Sequence, residues 1–360
     1  MPPPLIPRSY EFSGVSQTPD TAKDETLKTM RLLLLVVLLL TACSNQPAAT
    51  SPTPSPTASS TPTPTVTSAP SATPSPSPIT LPSFAGLSAP SGTVVWALVA
   101  GQRLFRSADR GDTWVERSLP TGLANAEIAF ADDKDGLVLS PGSPATECQT
   151  QSVTIWHTAD GAGSWQQVAT TGIADALCKR GLASADATHA FFTAYGPRSG
   201  PVIYRTTDGG RTWTAASPLS DPPGRTDVTV VFLPGRPRGF GSVVLLEAQG
   251  YGQPQRYVFL STDGGASWTY ASTAPRSEAP TAFVTTSRWI QLNPPGQSME
   301  TTDGGASWHP YTTEYGQAAP IGPDIVFGDA SVGYATVRGA IQRTIDGGAH
   351  WTQIKTPGTG

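Results

Sequence analysis

One octapeptide occurs six times in this chain, and it restricts the fold more than any other feature. The copies run Ser107–Trp114, Thr158–Trp165, Thr206–Trp213, Ser261–Trp268, Thr301–Trp308 and Thr344–Trp351. Each has a Ser or Thr, an Asp two places later (Asp109, Asp160, Asp208, Asp263, Asp303, Asp346) and a closing Trp (Trp114, Trp165, Trp213, Trp268, Trp308, Trp351). The tryptophans lie 51, 48, 55, 40 and 43 residues apart, a spacing that marks a repeat architecture built from one supersecondary unit per period. The residue types describe a stapled turn. A carboxylate accepts hydrogen bonds from turn N–H groups and hydroxyls, glycines supply positive φ, and the indole buries a large apolar area. Ala162 stands where the second copy's key Gly belongs, and His350 replaces the last copy's hydroxyl, so those two turns are expected to be the looser ones.

The sequence around the turns reads as strand. TVVWALV (Thr93–Val99) is a continuous apolar run, LFRS, TIWHT, VIYRT and YVFLS precede boxes, and no helical period is visible after Ile79. A period of about 44 residues holds four strands, the size of a propeller blade. The expectation is an all-β, six-bladed β-propeller of four-stranded antiparallel blades over 83–360, with the boxes joining third and fourth strands. Seven blades result if a degenerate blade lies in the longest gap, 214–260. Closure is open between a first blade complete in itself and one that borrows a strand from the far terminus.

The front of the chain reads as an address. Leu32–Leu40 is a nine-residue apolar run, too short to span a bilayer and of the length of an export-signal core. Leu40-Thr41-Ala42-Cys43 resembles a bacterial lipobox, and that resemblance implies lipidation of Cys43 and anchorage at the outer face of a bacterial membrane. Residues 30–43 are then the signal, and 1–29, proline-rich at the start and with four acids, a mis-called extension. From 44 to 82, 29 of 39 residues are Ser, Thr or Pro and none is charged, which suits an extended, disordered tether.

The octapeptide resembles the Asp-box, or BNR repeat. Propellers that carry it include sialidases, sortilin-type receptor ectodomains, xyloglucanases and photosystem II assembly factors. The last repeat is similar to the photosystem factor's through Phe327, Asp329, Gly333 and Tyr334; the second matches in part through Phe130, Asp132 and Gly136, with Leu137 for the aromatic. Two functions follow from the resemblance: a non-catalytic binding or assembly module for a protein or glycan, or a sialidase-type exo-glycoside hydrolase. The second needs an Arg-Ile-Pro motif, absent here, an arginine triad, for which sixteen arginines beyond residue 92 leave room, and a Tyr/Glu pair. Glu314-Tyr315 is a poor pair, because neighbouring strand residues face opposite ways.

The near balance of 23 basic and 27 acidic residues excludes a strongly basic nucleic-acid binder. Asp132–Gly136 lacks the spacing of a calcium loop, and His157, His189, His309 and His350 form no ligand motif, so no metal or cofactor is expected. The residues just before the boxes include Arg106, His157, Arg205 and Arg343, a candidate basic ring for an anionic partner; its structural alternative is pairing with acids on the same blade. Cys148 and Cys178 flank the second box and are candidates for a disulfide across that blade.

Overall fold

The computed structural model describes residues 77–81, 83–197, 199–223, 232–250, 254–316 and 324–360. The signal, Cys43, the extension over 1–29 and the linker up to residue 76 lie outside them.

Six separate antiparallel sheets follow one another along the chain. Blade 1 is β1 (Ala85–Ser88), β2 (Val95–Val99), β3 (Arg103–Ser107) and β4 (Val115–Arg117). Blade 2 is β5 (Glu127–Phe130), β6 (Gly136–Pro141), β7 (Val153–Thr158) and β8 (Gln166–Val168). Blade 3 is β9 (Cys178–Ser184), β10 (Ala190–Gly196), β11 (Ser199–Thr206) and β12 (Thr214–Ala215). Blade 4 has β13 (Phe232–Pro234), β14 (Arg238–Phe240), β15 (Val243–Gly250), β16 (Arg256–Ser261) and β17 (Thr269–Ala274). Blade 5 is β18 (Thr281–Phe283), β19 (Trp289–Gln291), β20 (Met299–Thr301) and β21 (His309–Pro310). Blade 6 is β22 (Asp324–Phe327), β23 (Gly333–Val337), β24 (Ala340–Thr344) and β25 (Thr352–Ile354). The protein is a six-bladed β-propeller, and every octapeptide joins the third and fourth strands of its blade. Among the described residues the longest gap holds no seventh blade: β13 and β14 both pair β15 and are two pieces of one innermost strand.

The core is six clusters, one in each seam between neighbouring blades. Leu137, Leu139 and Ile155 of blade 2 meet Phe192, Tyr204 and Trp213 of blade 3. Trp96, Leu98 and Leu104 of blade 1 meet Ile128, Phe130 and Val138 of blade 2, with Trp96 stacked on Phe130 at 3.7 Å. Because strands two and three bury both faces, TVVWALV carries no polar alternation. Blade 1 is built wholly from its own chain, so no strand is borrowed. Closure comes instead from the last seam, where Leu87, Val95 and Phe105 pack with Val332, Tyr334 and Ile341. A parallel bridge between Ile79 and Thr359 ties the two ends of the propeller together.

Cys148 and Cys178 are bonded. The bond does not cross blade 2 as expected. It joins the β6–β7 loop of blade 2 to the first residue of β9 in blade 3, a cross-link between blades worth about 2–4 kcal/mol.

Candidate functional site

The six boxes fasten the ring and take no part in its centre. In the first, Asp109 Oδ1 accepts the Ser107 hydroxyl (2.7 Å) and the Thr113 amide (2.9 Å), while Oδ2 accepts the Thr113 hydroxyl (2.6 Å). The Gly111 amide donates to Ser107 Oγ at 2.7 Å, and its φ of 87° suits glycine. Asp208, Asp263 and Asp303 repeat the pattern. The two irregular turns are not looser in bonding. Ala162 takes φ 62°, at a cost of about 1–2 kcal/mol, and its amide still reaches Thr158 Oγ1 at 3.0 Å while Asp160 keeps all its donors. In the sixth turn, His350 Nδ1 takes the missing hydroxyl's place on Asp346.

Each box tryptophan goes beyond its own turn and into the seam with the preceding blade. Trp213 of blade 3 and Trp268 of blade 4 are buried among residues of blades 2 and 3 respectively. Trp165, Trp308, Trp351 and Trp114 are half-buried at the edges of the seams with blades 1, 4, 5 and 6. The motif therefore closes a turn and locks one blade onto the last.

The box carboxylates are strong acids. Hydroxyl bonds come first in holding Asp109 (Thr113), Asp160 (Ser164) and Asp303 (Ser307) down to about 2. Ser267 lowers Asp263 in the same way. At Asp208 and Asp346 burial is the largest influence and acts upward, but the bonds together outweigh it and bring both to about 2. Depressed carboxylates give stability that is present above the unfolded value, about 3.9, and lost as pH falls through the folded one. Thermal melts are expected to hold down to about pH 4 and to fall steeply from there to about pH 2. Asp263→Asn should melt lower at neutral pH and show a shallower acid limb; an acid limb identical to wild type would contradict the fastening role.

The proposed ring of basic residues is stitched into the seams. Arg106 of blade 1 pairs with Asp133 of blade 2 (3.2 Å), and Arg343 of blade 6 pairs with Asp112 of blade 1 (2.6 Å). Only His157 meets an acid of its own blade, Asp135, at 3.6 Å. Arg205 has no ion-pair partner among the described residues; the first turn of blade 4, which corresponds to the one carrying Asp133 in blade 2, is Gly241-Ser242 and offers no carboxylate. Three of the four thus lie beside carboxylates. Glu314 is exposed and 3.7 Å from His350, whereas Tyr315 is buried against Trp351, so the pair is divided, although both residues lie in the loop after β21 and not in a strand.

The site that sequence reading missed is the centre. The innermost strands enclose a channel of about 630 Å³ whose wall carries Arg180, Arg236, Arg238 and Arg256 against Glu127 and Glu247. Two adjacent bulges shape it. Three residues, Gly235-Arg236-Pro237, oppose two of β15, between Pro234↔Ala248 and Arg238↔Leu245. Pro234 and Pro237 bracket the break, since proline has no N–H for a ladder. In blade 3, Gly181 and Leu182 face the single residue Phe192. Gly181 sits at φ 73°, and a Cβ there would come within 3.1 Å of the Gly235 carbonyl, so the bulges nest against each other.

The bulges aim their arginines into the channel. Arg180 donates through Nε and an η nitrogen to the Pro234 carbonyl, at 3.2 and 2.7 Å, with its guanidinium 4.6 Å from the Tyr195 ring. Arg236 reaches across to the Leu87 carbonyl of blade 1 at 3.0 Å, and Arg238 to the Phe327 carbonyl of blade 6. Arg238 Nε has no hydrogen-bond partner. Arg238 is partly buried, and that desolvation, with the nearby Arg236 charge, lowers its pKa to about 10.

The two channel acids act as staples. Glu247 of blade 4 accepts the Thr281 amide (3.0 Å) and hydroxyl (2.6 Å) of blade 5 and the Arg256 guanidinium (3.0 Å). Burial pushes its pKa up. Glu127 of blade 2 accepts the Leu182 amide of blade 3 at 2.8 Å. None of the six box aspartates lines the channel.

No protein-family model matches the chain. A curated xyloglucanase from Paenibacillus sp is 26% identical over 242 residues, which take in 55% of this chain but only 21% of the enzyme, so the chain corresponds to about a fifth of that relative. Among solved structures, YCF48 from Cyanidioschyzon merolae is similar at 17% identity, covering 77% of this chain and 86% of that one with a TM-score of 0.47. A Hadza microbial sialidase, Hz136, is 14% identical over 72% of this chain and 65% of its own, with a TM-score of 0.49. The fold assignment here rests on the six sheets themselves.

Proposed function

We propose that this protein is an exported lipoprotein, anchored through Cys43 and carried on its Ser/Thr/Pro-rich tether, whose propeller is a non-catalytic binding module that receives its ligand in the central channel. The observation that carries this reading is the state of the channel's ionisable wall. Each of its two glutamates has an oxygen committed to the neighbouring blade, and Glu247 gives its other oxygen to Arg256, while Arg236 and Arg238 reach across the channel to backbone carbonyls. Such a wall suits holding an anionic ligand.

One observation favours the second reading, a sialidase-type exo-glycoside hydrolase. Glu247 is buried beside the channel with a raised pKa, as a general acid would be. Incubation with a fluorogenic sialoside separates the two. The binding reading expects no turnover above a blank; turnover abolished by Glu247→Gln would establish the enzyme. Anchorage is tested by membrane fractionation of the full chain in a bacterial host. Cys43→Ser is expected to release it from the membrane, and unchanged membrane retention would reject the lipid anchor.

A further inference from the structure

The partly buried guanidinium of Arg238 lies over the Phe240 ring at 5.3 Å but has no counter-charge among the described residues. Its Nε is unpartnered, and the charge felt most closely is the like charge of Arg236. A bond to a backbone carbonyl on the far wall can be made by a neutral amide side chain. Putting a cation there instead adds a desolvation cost of several kcal/mol per ion that a carbonyl only partly offsets. The nearby like charge of Arg236 adds to the cost of keeping Arg238 charged there. The backbone is also arranged to bring this about: the Pro-bracketed bulge of blade 4 and the Gly181 bulge of blade 3 nest together and set Arg180, Arg236 and Arg238 around one stretch of channel. The rest of the lining there is largely apolar, with Ile128, Phe130, Phe283 and Val326, which strengthens any charge–charge contact made within it.

We infer that this stretch is an oxyanion site, in which Arg238, flanked by Arg236 and Arg180, takes a carboxylate, sulfate or phosphate group in place of its contact with the Phe327 carbonyl. The inference rests on the binding-module reading and specifies its ligand class. In the free protein the two long side chains reach across the channel and are tied to carbonyls of blades 1 and 6. An arriving oxyanion offers a charge-assisted bond, about twice as strong as a neutral one, and so displaces the weaker contact. The channel volume accommodates a small molecule or the end of a larger one.

Calorimetric titration of the full chain with sodium sulfate, inorganic phosphate or acetate, at ionic strength held constant with chloride, tests this. At least one of the three is expected to bind one-to-one, and the arms separate tetrahedral from planar oxyanions. Arg238→Gln, which can still donate to a carbonyl, should weaken that binding by about tenfold or more. Arg238→Lys should weaken it less, and the exposed Arg338→Gln should leave it unchanged. Should Arg238→Gln fail to fold, judged by circular dichroism, Arg238→Lys and Arg180→Gln carry the comparison. Equal affinity in wild type and in the folded channel variants would overturn the inference, as would a wild type that binds none of the three anions. A wild type that binds none yet stays at the membrane and turns over no sialoside would remove the oxyanion site while leaving the binding-module reading standing.

Discussion

Trp213→Ala is expected to destabilise the propeller by about 3–5 kcal/mol, a large fraction of the margin by which a domain of this kind is folded. Trp213 is 2% exposed, its ring is edge-on to Phe192 at 4.9 Å, and its Nε1 donates to the Gly210 carbonyl of its own turn at 3.0 Å. It sits in the seam with Leu137, Leu139 and Ile155 of the preceding blade, so the substitution opens a cavity between two blades instead of within one. The same change at the half-buried Trp165 should cost distinctly less. Urea unfolding measures both. Equal, small losses at the two positions would show that the box tryptophan acts only on its own turn and contributes nothing to the seam.

That contrast also shows how far the sequence could be read. The box motif states its chemistry locally: Asp, hydroxyl and glycine within eight residues are enough to name the turn and, through the period, the blade. Strand two of blade 1 is equally plain, because burial on both faces leaves the unbroken apolar run Val95–Val99. What escapes is every relation between blades. The partner of Arg106 is Asp133, one blade on, and the partner of Arg343 is Asp112, across the closure of the ring, so residue types near the boxes suggested a free basic ring where the structure has inter-blade ion pairs. The disulfide was legible as a pair but not as a link from blade 2 to blade 3. The channel was hidden for a related reason. Arg180, Arg236 and Arg238 lie on innermost strands with no common motif, and they converge only because β13–β14 and β9 each carry an extra residue. A signal did exist in Pro234-Gly235-Arg236-Pro237-Arg238, where two prolines within a strand period mark a break and two arginines alternate around it.

Glu247→Ala should cost about 3–5 kcal/mol, and its cause differs from that of the tryptophan. The carboxylate is 8% exposed and holds Thr281 of the next blade as well as Arg256 of its own sheet. Burial raises its pKa, so desolvation opposes its ionised form even with the arginine beside it. The pair as a whole is therefore worth little compared with two apolar side chains, but half of it is costly: alanine leaves the Arg256 guanidinium in the channel wall without its carboxylate and the Thr281 amide without an acceptor. The double variant Glu247→Leu/Arg256→Leu is thus expected to recover much of the loss seen in Glu247→Ala alone. A double variant that loses as much as the two single variants summed would mean that the two side chains contribute independently and that no unpaired-charge penalty lies behind the single losses. The same series bears on function. Removing Glu247 adds uncompensated positive charge to a wall already rich in arginine, so a folded Glu247→Gln variant should bind the oxyanion more tightly than wild type, while the Leu/Leu variant, with both charges gone, should match it.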